Sequence, residues 1–370
     1  MAGNGIPPFR ADHVGSLLRP AALMEARDKQ GQGEITAEEL RAVEDEHIRA
    51  AVTLQEEIGL EAITDGEFRR QMFHMDFLKE LEGAEVKSAM PVKFHNEEGE
   101  KEFAPPRLVV EGRLRRTHGI QTEDFKFLRS VTSKMPKVCI PSPPTMHFRG
   151  GRAAVSEEAY PEIEEFFDDL ARVYREEIAE LGRLGLTYLQ LDEVNLAYLC
   201  DPALRQRAKD IGEDPETLPH TYAKLINESV RDRPEGMTVA MHLCRGNYRS
   251  SWVSEGGYGP VAETLFNAID MDAYFLEYDS PRAGDFSPLR FVPKGKKVVL
   301  GLVTSKKPDL EEKDELKRRI DEAAGYVPME DLALSPQCGF ASTAEGNELS
   351  VDAQRAKLEL VVEVAREVWG

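Results

Sequence analysis

The sequence has few cysteines and no long apolar run, and each shortage argues against a class of protein. The chain has 370 residues but only 4 cysteines, too few and too scattered for a disulfide framework, so we expect reduced thiols available to a metal or a catalyst. No apolar run approaches the roughly 20 residues of a membrane span. The start, MAGNGIPPFR, lacks the features of a secretory signal, and we expect a cytoplasmic protein.

Positive charge is also scarce relative to negative charge. Lys and Arg number 47 against 67 Asp and Glu, which gives a formal net charge of −20. A surface this acidic repels phosphate backbones and anionic lipid, so we expect no nucleic-acid partner and no membrane-surface binding. Hydrophobic residues at 41% and charged residues at 31% are typical of a globular protein with a large core.

Short apolar runs alternate along the chain with longer stretches of helical periodicity. Helical patterns occupy residues 37–58, about 161–184, and the segment that follows Ser350. The eight predicted strands are 12–16, 62–67, 137–142, 188–193, 238–244, 273–279, 297–303 and 332–338. This alternation predicts an α/β protein, a single (β/α)₈ TIM barrel over residues 1–370, with an open doubly wound sheet as the competing architecture.

Residues 83–119 interrupt that alternation. They contain the strand-like runs VKFHNEEGEKEF and RLVVEGRLR around an acidic turn, and no βα unit accounts for them. We interpret the segment as an inserted β-hairpin arm. A role in capping the barrel or in joining a partner in a homodimer is favoured over a direct catalytic role.

Candidate metal ligands occur at the ends of three predicted strands. Residues i and i+2 of a strand point to the same side, so His242 and Cys244 project together at the mouth where barrel enzymes place their chemistry. Such a pair is a weak signal alone, because a buried Cys is often only a small apolar residue. Glu277 and Cys338 end two further strands, and the four side chains form a donor set suited to tetrahedral zinc. Cys139 and Cys200 do not join them and are interpreted as structural.

Six motifs in this order, DHVGSLLRP, ITDGEFRR, LQLDE, MHLC, FLEYDS and SPQCGF, resemble those of a known family. The chain resembles the catalytic domain of cobalamin-independent methionine synthase, in the short single-domain form that lacks the N-terminal half. The resemblance covers nearly the whole chain. It implies a zinc-dependent methyltransferase that transfers a methyl group to the thiol of homocysteine.

The resemblance also implies roles for individual residues. The Zn²⁺ ligands would be His242, Cys244, Glu277 and Cys338, with Glu277 as the ligand that the substrate sulfur displaces. Zinc would lower the pKa of a thiol, whose ordinary value near ~8.5 leaves it mostly protonated.

The substrate amino acid has a matching set of residues. Gly15 and Ser16 would hold its carboxylate, and Glu67 and Asp192 its ammonium group. The alternative for Glu67 is a salt bridge to Arg69 or Arg70. For Asp192 and its neighbour Glu193, the alternative is a strand-end pair that caps backbone groups.

The sequence departs from the family pattern in the loops that would meet the methyl donor. Lys306 or Lys307 stands where the family has a histidine that protonates the departing folate, and Lys306 is the candidate catalytic residue, with a solvated loop as the alternative. The segment PSPPTMHFRGG lacks the family's pterin-stacking tryptophan. The loop 245–260, which carries Trp252, could be a lid, a wall of a donor pocket, or a surface loop that packs its own aromatics.

These observations predict methyl transfer to homocysteine from a donor that is a methylcorrinoid or a folate-like molecule. A first alternative is another alkyl transfer to a zinc-activated thiol, with a different thiol or with an epoxide or methylated small molecule as electrophile. A second is a non-catalytic barrel in which zinc only ties strand ends together.

Overall fold

The computed structural model of the protein describes residues 6–87, 92–97 and 99–370. The strands are β1 (Ala62–Ile63), β2 (Glu82–Lys87), β3 (Val92–Asn96), β4 (Gly99–Phe103), β5 (Arg107–Arg115), β6 (Met135–Pro136), β7 (Val138–Pro141), β8 (Tyr188–Glu193), β9 (Thr238–Leu243), β10 (Ala273–Glu277), β11 (Lys297–Val303) and β12 (Leu332–Pro336). The helices are α1 (Ala21–Gly31), α2 (Ala37–Ile58), α3 (Met75–Leu78), α4 (Thr122–Val131), α5 (Thr145–Phe148), α6 (Ile163–Arg183), α7 (Asn195–Tyr198), α8 (Pro202–Asp210), α9 (Leu218–Val230), α10 (Ala262–Ala268), α11 (Lys313–Ala324) and α12 (Val351–Trp369).

The central sheet is parallel and closes into a ring. Six strands follow one another in the order β12-β11-β10-β9-β8-β7, and β1 pairs in parallel with β6, which directly precedes β7. The chain before β1 fills the remaining gap: the amide of Asp12 donates to the carbonyl of Leu334 at 3.0 Å, and the amide of Leu17 to that of Gly66 at 3.0 Å. The fold is therefore the predicted (β/α)₈ TIM barrel, in which this segment occupies the eighth strand position.

The first two predicted strands are shorter than expected. Residues 12–16 form no regular strand, and the neighbouring Ala11 makes a single parallel bridge to Leu334. Gly15 has a φ of +139°, which breaks the extended backbone there. The predicted strand 62–67 is reduced to β1 because the chain turns at Gly66 and Glu67, whose φ values are +67° and +59°.

The predicted helices form because capping residues mark where they begin and end, and because one face of each helix is apolar. Thr36 caps α2 in a capping box with Glu39, and Gly59 ends that helix in the left-handed conformation. The side chain of Ser350 accepts a hydrogen bond from the amide of Ala353 and begins α12. None of the helices in the described part of the chain has the length and apolarity that a membrane crossing needs.

The segment predicted as an arm contains two antiparallel strand pairs, β2 with β5 and β3 with β4. Residues 88–91 and 98 of the predicted arm lie outside the described residues. The pair β3–β4 lies across the carboxyl end of the barrel, where the His95 amide donates to the Trp252 carbonyl at 2.7 Å and the Trp252 amide donates back at 2.9 Å. It thereby joins the loop that follows β9.

The barrel interior contains a buried ion pair beside its closing segment. Lys137 Nζ lies 3.2 Å from Asp12 Oδ1, and both side chains are fully buried. Lys137 also donates to the His13 carbonyl at 2.6 Å, and the Tyr188 hydroxyl donates to Asp12 Oδ2 at 2.9 Å. These bonds satisfy charges that would otherwise be costly to bury.

Candidate metal centre and substrate pocket

Four potential metal ligands meet at the carboxyl end of the barrel. His242 lies in β9 and Cys244 directly follows it, Glu277 is the last residue of β10, and Cys338 follows β12. All four are buried, and their ligand atoms lie within 4.8 Å of one another. The sulfurs of Cys244 and Cys338 are 3.5 Å apart, and both cysteines are reduced. The convergence predicted from the strand ends is therefore present in the structure.

Several polar atoms of this cluster lack hydrogen bonds. Neither ring nitrogen of His242, nor Glu277 Oε2, has a hydrogen-bond partner among the described residues. The other Glu277 oxygen accepts the Arg245 amide at 3.0 Å, and Arg282 Nη2 lies 3.6 Å from Oε2. Buried polar atoms without partners are costly, so this arrangement points to a bound group that the side chains contact.

The two thiols of the cluster differ in acidity. A hydrogen bond from Cys244 lowers the pKa of Cys338 well below its ordinary value, and the same contact together with burial raises the pKa of Cys244. Burial raises the pKa of Glu277, and the charge of Lys306 opposes that shift.

Three of the four residues predicted to hold an amino acid line the same cavity as the cluster. Ser16, Glu67 and Asp192 border a cavity of about 690 Å³, partly open to solvent, that His242, Cys244 and Cys338 also line. Gly15 lies behind it, and a Cβ there would come within 2.5 Å of Glu67 Oε1. Only glycine allows this close approach of the Glu67 carboxylate.

The alternatives proposed for the acidic residues are partly realised. Glu67 forms an ion pair with Arg70, whereas Arg69 binds other carboxylates. Glu67 nevertheless faces the cavity, so the ion pair and a binding role coexist.

At the end of β8 the two acids separate. Glu193 accepts the amides of Asn195 and Leu196 and caps the start of α7. Asp192 instead accepts a hydrogen bond from the Gln190 side chain at 2.7 Å and lines the cavity. Burial raises the pKa of Asp192.

The two candidate lysines after β11 have different environments. Lys306 is buried, and its Nζ donates to Asn247 Oδ1 at 3.2 Å, so the solvated-loop alternative is wrong for this residue. Its charge acts on Cys244 and Glu277, which places it close to the cluster. Lys307 is exposed and pairs with Glu97 on the β3–β4 turn at 2.5 Å, as a solvated loop would predict.

The loop 245–260 forms a wall of the cavity. Gly246 and Asn247 line the cavity. Tyr258, near the end of the loop, is fully buried, and its hydroxyl accepts a hydrogen bond from the Glu277 amide at 3.0 Å. Tyr248 stacks on Phe103 of β4 with ring centroids 4.2 Å apart. The loop therefore packs its aromatics and shapes the pocket at once.

Several residues of the pocket were not predicted from the sequence. They are supplied by loops, by the short helix α7 and by the β3–β4 pair, and include His74, Phe94, Phe103, Arg149, Tyr198 and Asn247. No spacing marks these positions in the sequence. The only available signal was the alternation of aromatics with polar residues in β3 and β4, which predicts one covered face.

The strand ends of this TIM barrel carry a buried cluster of one nitrogen, two sulfur and one oxygen donor beside a polar cavity. This arrangement is typical of an enzyme whose active site binds a metal ion. The chain belongs to the family described as cobalamin-independent synthase, catalytic domain, whose model matches residues 9–367. The resemblance seen in the sequence motifs is confirmed, and the protein is a methyltransferase of the methionine synthase type.

Relatives of known sequence and structure agree with this membership. The Bacillus subtilis protein YxjH, which is uncharacterised, is 46% identical over 365 residues, covering 98% of this chain and 95% of its own. A methionine synthase of Pyrococcus abyssi is 27% identical and covers 90% of this chain and 87% of its own. A Thermotoga maritima 5-methyltetrahydropteroyltriglutamate–homocysteine methyltransferase is 24% identical, and the match spans 42% of that longer protein.

Solved structures agree on the fold. A Listeria monocytogenes protein assigned as a vitamin-B12-independent methionine synthase superposes with a TM-score of 0.79 at 40% identity, covering 99% of both chains. A B12-independent methionine synthase from Shewanella, solved with selenomethionine, superposes with a TM-score of 0.72 at 22% identity over 97% of both chains.

Proposed function

We propose that the protein is a zinc-dependent methyltransferase that transfers a methyl group to the thiol of homocysteine. The observation that carries the proposal is the buried cluster of His242, Cys244, Glu277 and Cys338 beside a cavity with two acidic side chains. The cluster suits a metal, and the cavity suits a zwitterion.

The cluster fits zinc in its donor types and in its spacing. Zinc prefers imidazole nitrogen, thiolate sulfur and carboxylate oxygen, and two Zn–S bonds of about 2.3 Å at a tetrahedral angle separate the sulfurs by about 3.8 Å. The observed separation is 3.5 Å. When bound, zinc would lower the pKa of a substrate thiol so that the sulfur is nucleophilic at neutral pH.

The residues around the cluster would orient the amino-acid part of the substrate. Glu67 and Asp192 offer carboxylates to its ammonium group, and Gly15 and Ser16 offer a backbone and a hydroxyl to its carboxylate. The Ser16 hydroxyl already accepts the Ala341 amide at 3.2 Å, which leaves its proton available to a ligand. Holding both charged groups places the sulfur in a defined position, which is a major source of rate enhancement.

Lys306 is the candidate for a role toward the methyl donor. Its buried ammonium group is fixed by Asn247 and lies near the cluster. The donor, a methylcorrinoid or a folate-like molecule, stays a prediction, as do the cytoplasmic location and the homodimer.

The alternatives make different demands on the cavity. A non-catalytic zinc site would need no pocket beside it, so the lining by Glu67 and Asp192 argues against that alternative. Transfer to a different thiol, or from an epoxide, remains compatible with the cluster.

Two measurements test the proposal. In a thermal-shift screen of zinc-loaded protein, homocysteine should raise the melting temperature more than cysteine, coenzyme M or glutathione. Mass spectrometry after incubation with homocysteine and a panel of methyl donors should then detect methionine. Selective stabilisation by another thiol, or methylation of another thiol only, would contradict the assignment of homocysteine.

A further inference from the structure

Arg149 is a positive charge at the mouth of the barrel without a counter-ion. It follows α5, in the segment PSPPTMHFRGG, and is half-buried. Among the described residues, its guanidinium has no hydrogen bond, ion pair or aromatic ring contact. Its electrostatic neighbours are Tyr198 and Arg207 rather than a carboxylate. A guanidinium stays charged in proteins, so this charge is uncompensated.

Arg149 also lies between two cavities. It lines the cavity that is bordered by His242, Cys244 and Cys338 of the cluster, and it lines a neighbouring cavity of about 480 Å³ that is partly open to solvent. Tyr198 is the other residue that the two cavities share. The walls of the second cavity are mainly apolar and comprise Val92, Phe148, Leu204, Ala208, Ile211 and Val253.

The remaining charges of the two cavities separate by position. The second cavity is bordered by Arg207 and by no acidic residue of the described chain. Of the two acids in the first cavity, Asp192 interacts electrostatically with His242 and Cys338 of the cluster, and Glu67 has Arg70 as its partner. His74, which lines the same cavity, is buried with a ring nitrogen that has no partner among the described residues. Binding of an anion is therefore favoured at Arg149, which has no carboxylate among its electrostatic neighbours in the described chain.

We propose that Arg149 binds the anionic group, a carboxylate or a phosphate, of the second substrate, and that the apolar body of that substrate occupies the cavity lined by Phe148 and Tyr198. This inference rests on the proposed function, because it assigns the donor rather than the thiol to this site. Arginine suits the role because its planar fork pairs with both oxygens of a carboxylate or phosphate. Because Arg149 also lines the cavity that contains the cluster, a ligand held there would share that cavity with the thiol substrate.

The site also accounts for the hairpin above it. Val92 of β3 lines the apolar cavity, while Phe94 and Phe103 line the cavity that holds the cluster. The β3–β4 pair thus contributes apolar side chains to both cavities, and surroundings of low polarity strengthen the attraction between a guanidinium and an anion.

Calorimetric titration with simple probes tests the proposal without turnover. The probes are phenyl phosphate and benzoate, with benzyl alcohol as the uncharged control. We expect at least one anion to bind the wild-type protein and benzyl alcohol to bind at least 10-fold more weakly. Arg149→Gln should weaken anion binding by about 10- to 100-fold, the usual range for losing a charge-assisted pair. Preference for one anion identifies the carboxylate or the phosphate as the source.

Control variants separate charge from folding. Lys224→Gln is the control for loss of one positive charge. Lys224 is exposed on α9, so this variant should leave anion binding unchanged. Arg149→Lys keeps the charge and should bind between wild type and Arg149→Gln. Arg149→Met, which keeps a long apolar stem, replaces the Gln variant if that variant melts early.

Three results would overturn the proposal: no binding of either anion, equal binding by wild type and Arg149→Gln, or competitive displacement of the anion by homocysteine. The last would assign Arg149 to the thiol substrate. Because these titrations need neither zinc nor methyl transfer, a failed anion site leaves the thermal-shift and product tests of the proposed function intact.

Discussion

The cluster forms because strand geometry and barrel geometry act on single residues together. His242 and Cys244 are two residues apart, so a continuing strand direction points both to the same side. Glu277 and Cys338 come from chain positions far away, and they arrive because parallel strands end at the same rim. The result is a compact donor set that no single segment could supply.

Loss of either thiolate should remove the metal. Cys244→Ser or Cys338→Ser replaces a thiolate by a neutral hydroxyl, which is a poor zinc ligand, so we expect zinc content to fall from about one ion per chain to a small fraction. Elemental analysis of the purified protein measures this. Cys200→Ser is the matched control, since that buried thiol lies outside the cluster and donates to the Leu196 carbonyl at 3.5 Å. Full zinc content in both ligand variants would refute the assignment.

Asp192 should contribute to amino-acid binding rather than to metal binding. In Asp192→Asn the charge is lost, and homocysteine affinity should fall by about 1.5–3 kcal/mol, the worth of a hydrogen bond to a charged group. Zinc content should be unchanged. Titration of both proteins with homocysteine and with its des-amino analogue measures the effect. Equal wild-type affinity for the two ligands would show that the ammonium group is not recognised.

At the scale of secondary-structure elements, the loops after the strands determine what the barrel can accept. The loop after β7 supplies Arg149, the loop after β9 supplies Asn247, and the loop after β11 supplies Lys306. The β3–β4 pair covers them through the stacking of Phe103 on Tyr248. Loops of this kind can change in sequence while the barrel stays the same, because barrel closure depends on the hydrogen bonds between the strands.

Two of these loops predict that polyglutamylated methyltetrahydrofolate is a poor donor. The loop after β7 has no tryptophan to stack a pterin, and the loop after β11 has a lysine in place of a histidine acid. Folate leaves poorly unless it is protonated, so loss of the acid should cost about 10²–10⁴-fold in rate. Steady-state assays with homocysteine and each donor measure this, with a methylcorrinoid as the comparison. Turnover of the folate near the enzyme median of ~10 s⁻¹ would contradict the prediction.

At the scale of the whole molecule, closure of the barrel depends on a segment that is not a regular strand. Residues 11–17 bridge β12 and the β1 turn, and the buried pair of Asp12 and Lys137 fixes this segment to the barrel interior. Lys137 also lies over the rings of Tyr188 and Phe275, at 4.9 and 4.2 Å from their centroids. The buried charge of Lys137 is tolerated because the ion pair, the hydrogen bond to the His13 carbonyl and the two aromatic rings compensate it.

Breaking the pair on one side should destabilise the fold. Lys137→Met leaves the Asp12 carboxylate buried without its cation, at a cost of about 3–5 kcal/mol in the free energy of unfolding. The double variant Lys137→Met/Asp12→Asn should recover part of this loss, because no buried charge remains. Denaturant unfolding of the single and double variants measures both values. A single variant as stable as wild type would show that the pair does not stabilise barrel closure.

The sequence alone predicted most of the strands, the family and the candidate ligands. Those features depend on the periodicity of apolar residues and on the side of the strand to which each residue points. Both are local properties that can be recognised in short segments such as HLC and LDE. The prediction was wrong where long-range packing decides. Residues 12–16 form no regular strand because the glycine at position 15 breaks the extended backbone. The solvated-loop alternative for Lys306 was likewise wrong, because that side chain is buried although its segment is polar.

Only the tertiary structure decided which distant loops meet. It placed the β3–β4 pair over the pocket, separated Asp192 from Glu193, and left Arg149 between two cavities with no counter-ion in the part of the chain that the structure describes. The physical reason is that burial and charge compensation depend on all neighbours in space. A lysine, an arginine or an acid therefore acquires its environment only when segments far apart in the chain pack together.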